Sequence, residues 1–70
     1  MKYYKDMTER GLNLYKVSQF SNWHGQRCVE IHMHILNTWV FHWRMHEEEW
    51  SKNKENYVEI SREEAFIEIL

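Results

Sequence analysis

The feature that most constrains the fold of this chain is an alternation of apolar and polar residues through its middle third. The alternating apolar residues are Val29, Ile31, Met33 and Ile35, followed after Asn37 and Thr38 by Trp39, Phe41, Trp43 and Met45. A period of two residues is typical of a β-strand, in which successive side chains point to opposite faces. We therefore predict that residues 26–36 and 39–46 are two strands that pair as an antiparallel hairpin.

The register of this hairpin depends on the length of its turn. A two-residue loop at Asn37 and Thr38 would mix the apolar and polar faces, whereas a three-residue loop over residues 36–38 aligns them. We predict the three-residue loop. The pairs that it places opposite each other are Met33 with Phe41, Ile31 with Trp43, His32 with His42, and Glu30 with Arg44. The opposite charges of the last pair favour this register.

A competing prediction makes Thr38 the N-cap of a helix that runs through residues 39–50. Such a helix would carry one stripe of large side chains, formed by Trp39, Trp43, His46 and Trp50. We favour the strand, because four apolar residues at alternating positions fit a strand better than a helix. Residues 51–56 are expected to be a polar loop in either case.

The rest of the chain predicts further strands and one helix. Residues 2–7 and 12–20 are expected to be strands joined by a four-residue loop at 8–11, and residues 21–25 the next turn. Residues 57–60 predict a short strand, and Ser61 with Glu64 predicts a capping box for a helix over 62–70. The predicted fold is α+β: a small antiparallel β-sheet, a meander of about four to five strands, with one short C-terminal helix packed on it, in one domain over residues 1–70.

Size and composition bear on the core and on the cell compartment. A chain of 70 residues buries only about 60% of its unfolded surface. Its four Trp, four Tyr and three Phe bring about 150–250 Å² each, so some are expected at the surface, where they suit a partner. The single cysteine excludes an intramolecular disulfide. The charged N-terminal residues and the lack of a long apolar stretch predict a cytoplasmic protein that makes no contact with a membrane.

Histidine is the residue type most suggestive of a metal site. His32 and His34 alternate on one predicted strand, and His42 lies on the next. Three imidazoles on adjacent strands are able to hold Zn²⁺ with one open position. We favour the simpler interpretation, in which they form the polar face of the sheet, because no carboxylate is clearly placed to orient them. We expect no metal or other cofactor, and His32, His34 and His42 are the ligands if a metal is bound.

Catalysis and nucleic-acid binding have little support in the sequence. The serines and glycines lie in no nucleophile or phosphate-binding motif, so we predict that the chain is not an enzyme. A formal net charge of −2 with scattered basic residues argues against a nucleic-acid partner. An aromatic platform for single-stranded nucleic acid remains an alternative. Its candidate residues are Tyr3, Tyr4, Tyr15, Trp39 and Trp43.

The function that remains is a small protein-interaction module that binds another protein or a second copy of the chain. A phage or bacterial accessory or inhibitor protein is a setting that suits such a chain. We predict Trp23, Trp39 and Trp50 as its contact residues, because they lie in a turn, at a hairpin tip and beside a polar loop. Trp43 lies inside a predicted strand and is expected to be more constrained by the core. The alternative functions are a metal-binding protein and a single-stranded nucleic-acid binder.

Overall fold

One antiparallel sheet of five strands organises the chain in the computed structural model, which describes residues 1–9 and 11–70. The strands are β1 (Lys2–Thr8), β2 (Gly11–Ser21), β3 (Arg27–Ile35), β4 (Thr38–His46) and β5 (Val58–Ile60), in the spatial order β4-β3-β2-β1-β5. The helices are α1 (Glu47–Asn53), which continues into a 3₁₀ turn (Lys54–Asn56), and α2 (Arg62–Ile69). The predicted α+β class, the antiparallel sheet and the C-terminal helix are confirmed.

Each face of the sheet packs against one helix. On one face, the buried side chain of α1, Trp50, joins a cluster formed by Tyr4, Tyr15, Val17, Val29 and Ile31. On the other face, Ala65 of α2 packs with Leu14 and Ile60. Because successive residues of a strand face opposite ways, β2 contributes to both clusters.

The C-terminal helix begins where the capping box predicts. The backbone N–H of Glu64 donates a hydrogen bond to Ser61 Oγ over 3.0 Å, which satisfies one of the free donors of the first helical turn. Ala65, on the side of this helix that faces the sheet, is fully buried. A helix of eight residues is too short to be stable alone, so its contact with the sheet holds it in place.

The first helix was not predicted. Residues 51–56 form the end of α1 and the 3₁₀ turn, so the expected polar loop is wrong. The alternative helix over residues 39–50 is wrong for its first eight residues, which belong to β4. Packing explains α1 better than its own sequence does, because its N-cap, His46, makes no side-chain capping bond. Trp50 instead contacts Tyr4 edge-on, with 5.2 Å between ring centroids, and anchors the helix to the sheet.

The turn between β3 and β4 has two residues rather than the three predicted. Ile35 pairs with Thr38, and Leu36 and Asn37 between them have φ values of 50° and 66°. Positive φ at both central residues is the geometry of a type I′ turn, whose twist matches that of the strands it joins. The three-residue loop over residues 36–38 is therefore wrong.

The half of the hairpin farther from the turn has the predicted register. Glu30 lies opposite Arg44, and Ile31 lies opposite Trp43. The ladder shifts between Ile31 and His32, where β4 holds one extra residue, His42. This is a β-bulge, in which two residues of one strand oppose one residue of the other.

Nearer the turn the predicted register fails. His32 pairs with Phe41 and Met33 pairs with Val40, so the predicted pairs of His32 with His42 and of Met33 with Phe41 are wrong. The alternation of apolar residues requires one extra residue between the two strands, and the predicted three-residue loop puts that residue in the turn. The chain places it in the strand, at His42, which restores the match of apolar faces without a longer loop.

The two strands of the first hairpin form where the sequence predicts them, but the predicted four-residue loop at 8–11 is wrong at both ends, because Thr8 belongs to β1 and Gly11 to β2. Thr8 pairs with Gly11, and Gly11 adopts a φ of 118°, which glycine reaches at little cost. The predicted four-residue loop includes Arg10, which lies outside the described residues. Neither helix in the described part of the chain has the length and apolar character needed to span a bilayer.

Candidate interaction surface

Five apolar side chains are exposed on β4 and on the end of the hairpin that leads into it. They are Ile35, Leu36, Val40, Phe41 and Trp43, and we call them the β4 patch. Leu36 is 92% exposed and Trp43 58%. An apolar group of this kind on a small domain is typical of a surface that contacts another molecule.

The position of β4 in the sheet explains its exposure. It lies at one end of the strand order and pairs with β3. The buried residue of α1 packs near the middle of the sheet, and α2 packs over β1 and β5. Natural sheets protect an edge strand with Lys, Pro or a β-bulge. β4 contains neither Lys nor Pro, and its bulge at His42 leaves residues 38–41 as a regular, uncovered edge.

The bulge distributes the patch over both faces of the sheet. Val40 and Trp43 share the face of their partners Met33 and Ile31, which is the face packed by α1. Phe41 lies on the opposite face with His32. The edge of the sheet is therefore apolar above and below the plane of the strands.

The charge nearest to the patch is already paired. Arg44 directs Nε and Nη2 at Glu30 Oε2, over 3.0 and 2.9 Å. Its guanidinium carbon lies 5.5 Å from the ring centroids of both Phe20 and Phe41, within the range of a cation–π contact. Residues 35–43 include no Lys, Arg, Asp or Glu, so the patch itself carries no fixed charge.

The three histidines predicted as metal ligands do not share a face. His32 lies beside Glu30, with 3.3 Å between Nε2 and Oε1, and His34 follows on the same face. The bulge turns His42 to the other face, where its ring centroid lies 5.8 Å from that of Tyr15. The described residues contain no group of three or more His, Cys, Asp or Glu side chains that could hold a metal ion.

Of the predicted contact residues, Trp23 is the most exposed. It lies in the turn between β2 and β3 and stacks on His24, with 3.9 Å between ring centroids. The carboxamide oxygen of Asn22 holds this turn by accepting hydrogen bonds from the backbone N–H groups of His24 and Gln26, over 3.0 and 2.9 Å. A role for Trp23 in binding stays a prediction.

Trp39 and Trp50 are less exposed than their positions in the sequence indicate. Trp39 is half-buried, 6.0 Å from the ring of Tyr3 and 5.0 Å from Lys16 Nζ. Trp50 is only 6% exposed, so the expectation that it is freer than Trp43 is wrong. Alternation assigns Trp43 to a strand but does not tell whether the strand lies at the edge of a sheet, and this explains the reversal.

The aromatic residues considered for nucleic-acid binding do not form one exposed platform. Tyr4 and Tyr15 are buried in the core cluster under α1. Tyr3 and Trp39 pack on the opposite face. Bases stack on rings that lie exposed in one groove, and these rings do not meet that requirement.

The buried tyrosines keep their protons. Burial, together with the carboxylate of Asp6, raises the pKa of Tyr15, whose hydroxyl donates to Asp6 Oδ2 over 3.3 Å. Burial and the charge of Glu59 raise the pKa of Tyr4, and burial and the charge of Asp6 raise the pKa of Tyr57. The Tyr15 hydroxyl therefore stays protonated at neutral pH and donates its hydrogen bond to Asp6.

Cys28 is a buried residue of β3, on the same face as Glu30. It lies opposite His46, with 3.7 Å between Sγ and Nδ1. A nucleophilic thiol needs access to its substrate, and this one is buried. Its contact with His46 instead links the far ends of β3 and β4.

Comparison of the chain with protein-family models, curated proteins and solved structures found no match. The function proposed next therefore depends on the geometry and chemistry of the chain itself.

Proposed function

We propose that this chain is a small protein-interaction module whose β4 patch binds a protein partner. The observation that carries the proposal is the conformation of Leu36. This residue has a φ of 50°, in the left-handed region that Gly and Asn occupy far more readily than Leu. Its side chain is also 92% exposed, so it gains almost no burial energy within the chain.

Leu36 therefore destabilises the isolated chain in two ways: its backbone is strained and its apolar side chain is exposed to water. Backbone strain at a single residue costs on the order of 1–3 kcal/mol and is concentrated at functional sites. Asn or Gly at this position would relieve the strain. A partner that covers Leu36 would supply the burial that the isolated chain lacks, and this supports an interface at the hairpin end.

The neighbours of Leu36 are of the type that binds proteins. Large aromatic side chains dominate the binding energy of interfaces, with paired charges at the rim. Phe41 and Trp43 supply the rings, and Arg44, paired with Glu30, lies at the border of the patch. A chain of this size fits an accessory or inhibitor protein of a phage or bacterium, and its single cysteine fits a reducing cytoplasm.

Photo-crosslinking in cells tests the proposal. The photoreactive residue benzoylphenylalanine would replace Phe41 in one protein and Phe66 in a matched control. The two positions are similarly exposed, at 53% and 46%, but Phe66 lies on α2. We expect Phe41 to yield a discrete protein adduct that is lost when Trp43→Ala is added, and Phe66 to yield none. Equal labelling at both positions, or no adduct at Phe41, would contradict the proposal.

Leu36 supplies an independent test with effects of opposite sign. Leu36→Asn should raise the free energy of unfolding of the chain by about 1 kcal/mol, because Asn tolerates positive φ. The same change should reduce the yield of the Phe41 adduct, because the covered side chain is lost. A variant that is more stable and forms as much adduct as before would remove Leu36 from the interface.

A further inference from the structure

We infer that the partner of the β4 patch is a second copy of this chain, joined by antiparallel pairing of the two β4 strands about a two-fold axis at Val40. This inference depends on the proposed function, since it names the partner for the same surface. An edge strand with exposed apolar side chains is a ready template for another strand. The second copy is chosen because β4 is complementary to itself in this register.

The register follows from which residues share a face. With Val40 opposite Val40 of the second copy, Trp39 meets Phe41 and Thr38 meets His42. Both members of each pair lie on one face of the sheet. Trp39 and Phe41 lie on the face of His34 and His32. Thr38, Val40 and His42 lie on the face packed by α1. The pairing therefore places ring against ring on one side of the sheet, twice, by symmetry.

Backbone direction imposes a second condition, which the same register meets. Along a strand, the N–H and C=O groups of alternate residues point toward the same edge. For two residues opposed in a ladder, the backbone N–H and C=O groups of both residues must point toward the other strand, or those of both must point away from it. The pairs 40–40, 39–41 and 38–42 each combine two even or two odd positions, so the condition holds for all of them, as it does for any axis that passes through a residue; matching of faces across the bulge is what selects Val40.

Other symmetric registers are worse. An axis at Phe41 brings Trp39 opposite Trp43, which lie on different faces because of the bulge at His42. An axis at Arg44 places two guanidinium groups directly opposite each other, and like charges in that position are destabilising. The axis at Val40 gives the longest stretch of matched faces on the side of the bulge nearer the turn.

The accessible surface of the chain is larger than that of an average folded monomer of the same mass. The accessible surface is 5556 Å² for a mass of 8.8 kDa, whereas a folded monomer of that mass exposes about 4,800 Å² on average. The excess, roughly 800 Å², shows that the isolated chain leaves more of its surface uncovered than an average monomer does. The radius of gyration, 12.5 Å, likewise exceeds the ~11 Å expected for a compact chain of this length.

Charge does not oppose the pairing. The paired stretch lies within residues 35–43, which carry no fixed charge. The antiparallel arrangement directs the two α1 helices, each beginning with Glu47, Glu48 and Glu49, to opposite ends of the joined strands. The two acidic clusters therefore do not meet.

Sedimentation equilibrium of the full chain tests this inference. We expect the wild-type chain, of 8.8 kDa, to approach twice that mass as concentration rises. Val40→Lys should weaken the association at least about 30-fold, because it sets two ammonium groups against each other at the axis. The matched control is Val58→Lys, an exposed valine on the opposite edge strand, β5, which should leave the association unchanged.

A charge-reversal pair tests the register itself. Val40→Glu alone should also be monomeric, whereas an equimolar mixture of the Val40→Lys and Val40→Glu proteins should regain the doubled mass. A monomeric wild-type chain at every concentration would overturn the second-copy inference. So would a dimer that Val40→Lys leaves intact, or a mixture that stays monomeric. A monomeric wild-type chain that still forms the Phe41 adduct with a different protein would leave the proposed function standing. A monomeric wild-type chain that forms no Phe41 adduct would contradict both the proposed function and the second-copy inference.

Discussion

Ile31 lies directly opposite Trp43, whereas the next pair toward the turn joins His32 to Phe41, so His42 is the extra residue of a bulge. This relationship sets which face every later residue of β4 occupies. It keeps Met45 opposite Val29, packed against the core cluster. It also brings Trp43 to the same face as Val40.

Deletion of His42 should therefore be tolerated. Trp43 would follow Phe41 and meet Ile31 in a regular ladder, with all later pairs unchanged. Deletion of Arg44 should instead cost about 1–3 kcal/mol of stability. Closing the ladder then moves either Met45 or Trp43 to the opposite face, and the ion pair of Arg44 with Glu30 is lost. Urea unfolding of both deletion variants measures this difference. Equal loss of stability in the two variants would contradict the assigned bulge.

The tryptophans should divide into core and surface residues. Trp50→Ala should lower the free energy of unfolding by about 3–5 kcal/mol, because it empties a buried site beside Tyr4. Trp23→Ala should change it by less than about 0.5 kcal/mol, since its ring is exposed in a turn. Thermal or urea unfolding compares the two variants. A small effect of Trp50→Ala would show that α1 does not anchor on the sheet as described.

Stability should fall in strongly alkaline solution. Burial raises the pKa of Tyr15 in the folded chain above its ordinary value of 10.0, so the folded state keeps this proton to higher pH than the unfolded chain does. Its contribution is complete below about pH 10 and is lost as the pH rises beyond that value. Urea unfolding at increasing pH should show the decline. Tyr15→Phe, which has no proton to lose, should show a smaller decline, and an equal one would rule out Tyr15 as its source.

Metal removal should leave the fold unchanged. His42 lies on the opposite face from His32 and His34, so these three rings cannot contribute together to a folding-linked site. Thermal melting with and without a strong chelator should give the same midpoint. A lower midpoint after chelation, restored by Zn²⁺ and abolished by His32→Ala, would contradict this geometry.

The sequence predicted strands well because apolar residues alternate without a break. Ile31 and Trp43 were paired correctly, since each lies in such a run on its own strand. The turn was missed because Leu36 is not a residue that favours positive φ. The bulge was missed for a related reason: an extra residue such as His42 leaves no mark in composition.

The candidate surface was only partly predictable. Surplus aromatic residues indicated that some rings would lie outside the core, but alternation does not distinguish an edge strand from a central one. Trp43 was therefore assigned to the core and Trp50 to the surface, the reverse of what the fold shows. Trp50 precedes polar residues and becomes buried through contacts distant in sequence, which local pattern does not report.

Amide hydrogen exchange along β4, resolved by residue, tests the central claim most directly. In an open edge strand alternate amides of Trp39, Val40 and Phe41 lack a strand partner and exchange fast, whereas a paired strand protects them all. We predict that the fast-exchanging amides become protected as the protein concentration rises, and that Val40→Lys abolishes this protection while Val58→Lys does not. Alternate amides of β4 that exchange fast at every concentration would contradict the claim that this edge binds a second chain.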